Sequence, residues 1–157
     1  MFIGEFSHTV DEKGRVSVPV KFRDSLAAGC IVTRGLDGCL WLYSKEDWDK
    51  IATEVAGLPL TQKNARSFSR FILSGAMDVR LDKTGRVNLP KYLTDYAGIK
   101  SKVVIAGMYN RLEIWAEGTW NEFKKEMESI GYKINVVKKR NYDKYLQSYK
   151  SIRGIKN

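Results

Sequence analysis

The side chains best suited to chemistry in this sequence are two arginines, Arg15 and Arg86, which occur in the same nine-residue setting. The shared frame reads Asp-x-x-Gly-Arg-Val-x-apolar-Pro at residues 11–19 and again at 82–90, with five of the nine positions identical. A planar guanidinium can bridge two phosphate oxygens or the O6 and N7 atoms of guanine. The pattern therefore predicts a pair of anion-binding side chains.

The aspartates and glycines of the frame indicate how these arginines are held. Asp11 and Asp82 can accept backbone N–H bonds inside a turn, and Gly14 and Gly85 supply the left-handed backbone that a three-residue hairpin loop requires. We therefore assign these four residues to orienting the loops. An Asp–Arg pair across a loop can also serve only to fix its shape, so a purely structural role for the frame stays open.

Further cations lie close to both copies of the frame. Together with the two arginines they form the set of candidate nucleic-acid contacts: Arg15, Arg86, Lys13, Lys83, Lys21, Arg23 and Lys91. Contacts to phosphate would supply affinity, and an arginine at a guanine edge would supply sequence readout. We expect Lys13 and Lys83, in the loop tips, to touch phosphate or base edges.

The same order of predicted elements follows each frame, which makes the chain a duplicated unit of about 70 residues. A tight β-hairpin surrounds the Asp-x-x-Gly-Arg turn, a proline opens a short helix, two strands form a second hairpin, and an amphipathic helix closes the copy. The second hairpins pair residues 30–33 with 40–43 and residues 102–106 with 112–115. Residues 61–74 add a helix between the copies. The sequence therefore predicts an α+β fold.

The net charge of +9 is concentrated near the C-terminus. Residues 133–157 contain eight cations and one acid, so they hold seven of the nine net charges and leave two for the duplicated part. A basic segment with interspersed tyrosines suits a polyanionic partner, but a charge run is also typical of a solvated extension. Charge alone therefore favours nucleic acid without locating a site.

Other functional classes lack their signatures. The single histidine, His8, has no partners at ligand spacing, and Cys30 and Cys39 fit neither a zinc ribbon nor a redox pair, so we expect buried cysteines and no metal. Phosphate-cradling glycine motifs are missing, which argues against a cofactor and against an enzyme. No apolar run approaches the roughly 20 residues that cross a bilayer and no leader pattern is present, so we expect a cytoplasmic protein with no membrane partner.

In combination, these motifs resemble those of the MraZ family of bacterial transcriptional regulators. The resemblance rests on the twin Asp-x-x-x-Arg frames, the Met-Phe-x-Gly-Glu-Phe start at residues 1–6, the Lys-Gly-Arg-Val-x-Val-Pro run at residues 13–19 and the overall length, and it covers residues 1–131. It implies two SpoVT/AbrB-type modules that form a pseudo-two-fold small β-barrel with flanking helices. The implied boundaries are 5–52 for the first module, 58–75 for a linker helix, 76–130 for the second module and 131–157 for a basic tail.

The resemblance also implies a function and partners. It makes Arg15 and Arg86 direct contacts to double-stranded DNA, at direct repeats in the promoter of the division and cell-wall gene cluster, and it implies association with the nucleoid. It further implies a ring-shaped, octamer-like homo-oligomer, in which several weak contacts would add through avidity. The basic tail is not part of the duplicated core, so a second DNA arm and an oligomer contact are both open roles for it.

Two other functions are compatible with the same residues. An AbrB-like antitoxin or another protein-interaction module would use the basic loops to bind an acidic protein surface. General binding of RNA or of the nucleoid would depend on the basic tail instead. Sequence-specific binding of DNA is the leading hypothesis, because the repeated frame places paired arginines where they can contact a polyanion.

Overall fold

The computed structural model describes residues 1–136 of the protein, with residues 131–136 as helix backbone only. The chain divides into a unit Met1–Glu117, which holds both frames, and a second unit that begins at Gly118. Each unit is described by itself. The expected basic tail at 131–157 lies outside the described residues, apart from that backbone.

Over the described residues the chain forms eight strands, five α-helices and two short 3-10 turns. In chain order these are β1 Phe2–Thr9, β2 Arg15–Ser17, a 3-10 turn Val20–Phe22, α1 Arg23–Leu26, β3 Cys30–Arg34, a 3-10 turn Leu36–Gly38, β4 Leu40–Ser44, α2 Lys45–Ala56, α3 Lys63–Ser74, β5 Met77–Val79, β6 Arg86–Asn88, α4 Lys91–Tyr96, β7 Lys102–Tyr109, β8 Leu112–Ala116 and α5 Glu117–Val136. Across these residues no helix is both long and apolar enough to span a bilayer. The predicted α+β class is confirmed.

The strands form two antiparallel sheets. The larger has the order β1-β7-β8-β4-β3-β5, and the smaller is the two-stranded ribbon β2-β6. The small closed barrel that we expected is not formed by the described residues, because β1 and β5 remain unpaired edges of the larger sheet. Pro19 and Pro90 follow the ribbon strands closely and cannot donate to a ladder, so the ribbon is too short to join those edges.

The second hairpin of each copy is confirmed. β3 pairs with β4 and β7 pairs with β8, close to the predicted limits. The first hairpin differs from the prediction, because only the turn itself is closed: Val10 bridges Val16, and the Asp11 N–H donates to the Arg15 carbonyl. Beyond the turn, β1 pairs with β7 and β2 pairs with β6, so the Asp-x-x-Gly-Arg loop carries the chain from one sheet into the other.

Equivalent residues of the two copies face each other at two places in the fold. In the ribbon, Val16 lies opposite its equivalent Val87. At the centre of the larger sheet, β4 pairs with β8, and Trp41 lies opposite Glu113. Glu113 is the residue of the second copy that is equivalent to Trp41. On either side of both pairs the register is antiparallel, so an approximate two-fold axis relates the paired strands.

One apolar core lies between the two sheets. The inner face of the ribbon contributes Val16 and Val87, both fully buried, which pack with residues of the larger sheet such as Val32, Leu42 and Ile105. Burying a valine of this kind contributes roughly 1.5–3 kcal/mol, so the ribbon is anchored by its inner face while its other face stays available. The two cysteines are buried and free, as predicted.

Candidate nucleic-acid interface

The first loop, residues 11–15, is organised by one carboxylate. Asp11 Oδ1 accepts the backbone N–H groups of Lys13 and Arg15, each at 2.9 Å. Its second oxygen, Oδ2, accepts Nε of the Arg15 side chain at 2.6 Å. The loop is closed by two backbone bonds, from the Asp11 N–H to the Arg15 carbonyl and from the Gly14 N–H to the Asp11 carbonyl, both at 3.0 Å.

The second loop, residues 82–86, repeats this arrangement. Asp82 Oδ1 accepts the backbone N–H groups of Thr84 and Arg86 at 2.9 Å, together with the Thr84 hydroxyl, and Oδ2 accepts Arg86 Nε at 2.9 Å. The same two backbone bonds close the loop. In both loops the aspartate therefore joins the backbone of the turn to the arginine side chain.

Both carboxylates are held in the ionised form. The backbone N–H of Arg15 is the largest cause that lowers the pKa of Asp11 below its ordinary value, and the backbone N–H of Arg86 does the same for the pKa of Asp82. Hydrogen bonds to a carboxylate favour its charged state, which in turn strengthens the bond to the arginine. The loops therefore stay closed across the neutral pH range.

Gly14 and Gly85 have the left-handed backbone that the sequence predicted, with φ of +82° and +79°. Each also lies against the other copy. A Cβ at Gly14 would come within 2.7 Å of the Leu89 carbonyl oxygen, and a Cβ at Gly85 would collide with the Arg23 side chain. These glycines thus permit both the turn and the close approach of the two copies.

The ribbon brings the two loops together. The Leu89 N–H donates to the Gly14 carbonyl at 2.8 Å and the Val18 N–H donates to the Gly85 carbonyl at 2.9 Å, so each loop is bonded to the opposite copy. Arg15 lies opposite Asn88 and Ser17 opposite Arg86, which makes Arg15 and Arg86 diagonal neighbours on the outer face of the ribbon. Such neighbours are separated by about 7–8 Å.

The outer edge of each guanidinium makes no hydrogen bond within residues 1–130. Aspartate engages only Nε, and within residues 1–130 no hydrogen-bond partner is present for the Nη1 or Nη2 atoms of Arg15 and Arg86. About a third of each side chain is exposed, 33% for Arg15 and 32% for Arg86. A guanidinium fixed through Nε keeps two parallel N–H donors for a bidentate acceptor.

The remaining predicted contacts have different surroundings. Lys13 and Lys83 are exposed in the two loops. Lys91 is exposed at the start of α4 and pairs with Asp95, with 2.8 Å between Nζ and Oδ2. Lys21 packs its ammonium over the rings of Phe6 and Phe22, at 5.0 Å from each centroid.

Arg23 supports the ribbon from within the protein. Its Nε donates to the Val18 carbonyl at 2.9 Å, and its side chain covers Gly85 of the second loop. The geometry gives Arg23 a bracing role. Its predicted contact with nucleic acid stays a prediction, as do those of the lysines.

Sequence reasoning missed two residues of the outer ribbon face. Ser17 and Asn88 lie opposite Arg86 and Arg15, and Asn88 is exposed. The sequence could have indicated them, because side chains alternate between the two faces of a strand. Val16 and Val87 are apolar and face the core, so their neighbours face outward. Beside Asn88 a cleft of about 510 Å³ separates the first loop from α4, with Lys100 among its further lining residues.

The described residues do not form a cluster of side chains that could hold a metal ion. No group of three or more His, Cys, Asp or Glu side chains stands together among them. The arrangement instead presents two ordered guanidinium groups on a narrow ribbon. Chemically, it suits recognition of an anionic, planar ligand with paired acceptors.

Comparison with known proteins relates the whole duplicated part to one family. The family model described as "MraZ protein, putative antitoxin-like" matches residues 1–71 and 72–135, one match for each copy of the frame. The chain belongs to the MraZ family. MraZ proteins are not enzymes, which confirms that this chain is not one.

The similar MraZ proteins span most of this chain. The "Transcriptional regulator MraZ" of Ligilactobacillus salivarius strain UCC118 is 48% identical over 128 residues, which cover 82% of this chain and 90% of that protein. The protein of the same name from Natranaerobius thermophilus is 48% identical over 129 residues, with the same coverage. That of Limosilactobacillus reuteri strain DSM 20016 is 49% identical over 126 residues, covering 80% and 89%.

Proposed function

We propose that this protein is a transcriptional regulator that binds double-stranded DNA through the paired loops at residues 11–15 and 82–86. The observation that carries the proposal is the pair of guanidinium groups, each held through Nε by its own aspartate and each open at Nη1 and Nη2. The name shared by the MraZ relatives supports the regulatory role.

A two-stranded β-ribbon is an element that can enter a DNA groove. The major groove admits a two-stranded β-ribbon, and the bidentate pairing of arginine with guanine O6 and N7 is the commonest specific contact there. The inner face, with the buried side chains of Val16 and Val87, packs the ribbon against the core. Lys13 and Lys83 are then the candidates for phosphate contacts beside the groove.

The more detailed expectations remain part of the proposal. We place the DNA sites at direct repeats in the promoter of the division and cell-wall gene cluster, with the protein at the nucleoid. We keep the two SpoVT/AbrB-like modules at 5–52 and 76–130, with the linker helix at 58–75. The antiparallel pairing of equivalent residues supports an approximate two-fold relation between them.

A ring-shaped, octamer-like homo-oligomer is also part of the proposal. β1 is an edge strand, and at its N-terminal end Ile3 lies opposite Met108 of β7 with both side chains exposed. An exposed apolar pair on a sheet edge is suited to association with another copy. Several ribbons in one assembly would then bind repeated sites with avidity.

The proposal is tested by replacing both arginines in Arg15→Ala/Arg86→Ala. Binding to duplex DNA from upstream of the protein's own gene is measured at fixed salt, with circular dichroism as a check of folding. Because each of the two bidentate base contacts contributes about 1–3 kcal/mol of discrimination, we expect specific affinity to fall roughly 30-fold or more.

The matched control removes two cations from α3 in Lys63→Ala/Arg70→Ala. It changes the net charge by the same amount and leaves both loops intact, so we expect at most a small, salt-dependent loss of affinity. A folded Arg15→Ala/Arg86→Ala protein that binds as well as this control would overturn the proposed DNA contacts.

A second function is favoured by one observation, the phrase "putative antitoxin-like" in the description of the matching family model. In this alternative the basic loops bind an acidic surface of a protein partner. A pull-down from nuclease-treated lysate separates the two functions, because a protein partner remains bound after DNA is removed. If that partner is lost in Arg15→Ala/Arg86→Ala, the loops serve protein recognition.

A further inference from the structure

The two loops are related by an approximate two-fold axis, yet the residues between the arginines differ in the two copies. Arg15 lies opposite Asn88, whereas Arg86 lies opposite Ser17. Ser17 and Asn88 hold equivalent positions in their frames. The outer face of the ribbon is thus symmetric in its arginines and asymmetric in the residues beside them.

Both side chains stand on the outer face with free hydrogen-bonding capacity. Val16 and Val87 point into the core, so the residues on either side of them point outward. In the described part of the chain neither the Ser17 hydroxyl nor the Asn88 amide makes a hydrogen bond, and Asn88 is exposed. Their polar groups are therefore available to a ligand that lies on the ribbon.

The two residue types read bases differently. An asparagine amide can pair in bidentate fashion with adenine N6 and N7, whereas a serine hydroxyl bonds to several bases with little preference. The Asn88 amide lies beside the first loop, since its Oδ1 is 3.3 Å from the position that a Cβ of Gly14 would occupy. Asn88 at one end of the ribbon can therefore discriminate between bases, whereas Ser17 at the other end discriminates little.

We propose that Asn88 and Ser17 determine sequence specificity, with Asn88 selecting adenine beside the base that Arg15 contacts and Ser17 leaving the base beside Arg86 only weakly specified. This inference rests on the proposed DNA-binding function. The difference between Asn88 and Ser17 would make the bound DNA site directional. The pseudo-symmetric ribbon would then recognise a sequence without dyad symmetry and bind it in one orientation.

The test is selection of bound sequences from a randomised duplex pool with the full chain. For the unaltered protein we expect a motif without dyad symmetry that contains one strongly specified adenine. In Asn88→Ser, discrimination at that adenine should fall about 5- to 150-fold, the range for one bidentate pair. In the exchanged variant Ser17→Asn/Asn88→Ser, the specified adenine should move to the opposite end of the motif.

Asn64→Ser is the matched control, because Asn64 is an exposed asparagine on α3. It should select the same motif as the unaltered protein, and circular dichroism verifies the fold of each variant. A motif that is retained unchanged in Asn88→Ser, or a palindromic motif in the unaltered protein, would overturn the inference and leave DNA binding standing. If the unaltered protein selects no motif, the proposed function fails and the inference fails with it.

Discussion

Individual side chains in the two loops were largely predictable from the sequence. The aspartates, glycines and arginines of the frame take up the turn, the backbone conformation and the ion pair that their chemistry suggested. The bracing position of Arg23 and the packing of Lys21 on two phenylalanines were not predictable. They depend on which residues of distant segments come close, and a short sequence window carries no information about that.

At this scale the aspartates predict how stability depends on pH. The folded pKa of both Asp11 and Asp82 lies below the unfolded value of about 3.9, so their contribution is complete above that value and is lost as pH falls through the folded pKa. We expect Asp11→Asn/Asp82→Asn to lose less stability than the unaltered protein when pH is lowered from 5 to about 2.5. Urea unfolding across this range measures the difference. Parallel pH profiles for the two proteins would contradict the role given to the carboxylates.

At the scale of elements, local patterns predicted the hairpins β3–β4 and β7–β8, and the helices α3 and α4, within a few residues. They did not predict that β2 pairs with β6. The β2–β6 pairing joins segments that are far apart in the chain. The turn at Asp11 instead predicted that β2 pairs with β1, its neighbour in sequence. The expected barrel is not formed for a related reason: β2 and β6 have only three residues each, and a proline follows two residues after each strand.

The close approach of the two copies at Gly14 leads to a prediction about the ribbon. Gly14→Ala should lower stability by more than the about 1–2 kcal/mol that a left-handed backbone costs an alanine, because the new Cβ also presses on the Leu89 carbonyl and strains the ribbon. Thermal unfolding measures the loss.

Gly98→Ala is the matched control for this effect. Gly98 has φ of +62°, but nothing lies within 4 Å of the added Cβ, so only the backbone cost applies. The difference between the two variants isolates the contact between the copies. Equal losses of stability in both variants would mean that the ribbon accommodates the added Cβ at residue 14 with no further loss of free energy.

At the scale of the whole molecule, the larger sheet joins the two copies through a buried polar cluster. Glu113 Oε2 accepts Trp41 Nε1 at 2.9 Å and Arg111 Nη2 at 3.0 Å, while Oε1 accepts Trp115 Nε1 at 3.2 Å. The guanidinium of Arg111 also lies 5.0 Å from the centroid of the Trp41 ring. One carboxylate thus satisfies donors from both copies at the middle of the sheet.

Removing this charge should weaken the whole fold. In Glu113→Gln an amide N–H₂ would face indole or guanidinium donors, so we expect a loss of about 1–3 kcal/mol in the free energy of unfolding. Glu46→Gln removes a carboxylate from an exposed pair with Lys50 and should change that free energy by less than about 0.5 kcal/mol. Urea unfolding compares the two, and equal losses would show that the cluster contributes no more than a surface pair.

The pairing of Trp41 with Glu113 also bears on whether either half of the chain could form a homodimer. Where two identical modules meet on a two-fold axis, a residue on that axis lies opposite the same residue of the other copy. Two copies of the first half would set tryptophan against tryptophan without a carboxylate between them, and two copies of the second half would bury two like charges against each other. Neither homodimer would form the Trp41–Glu113 hydrogen bond, which needs the two different halves side by side in one sheet.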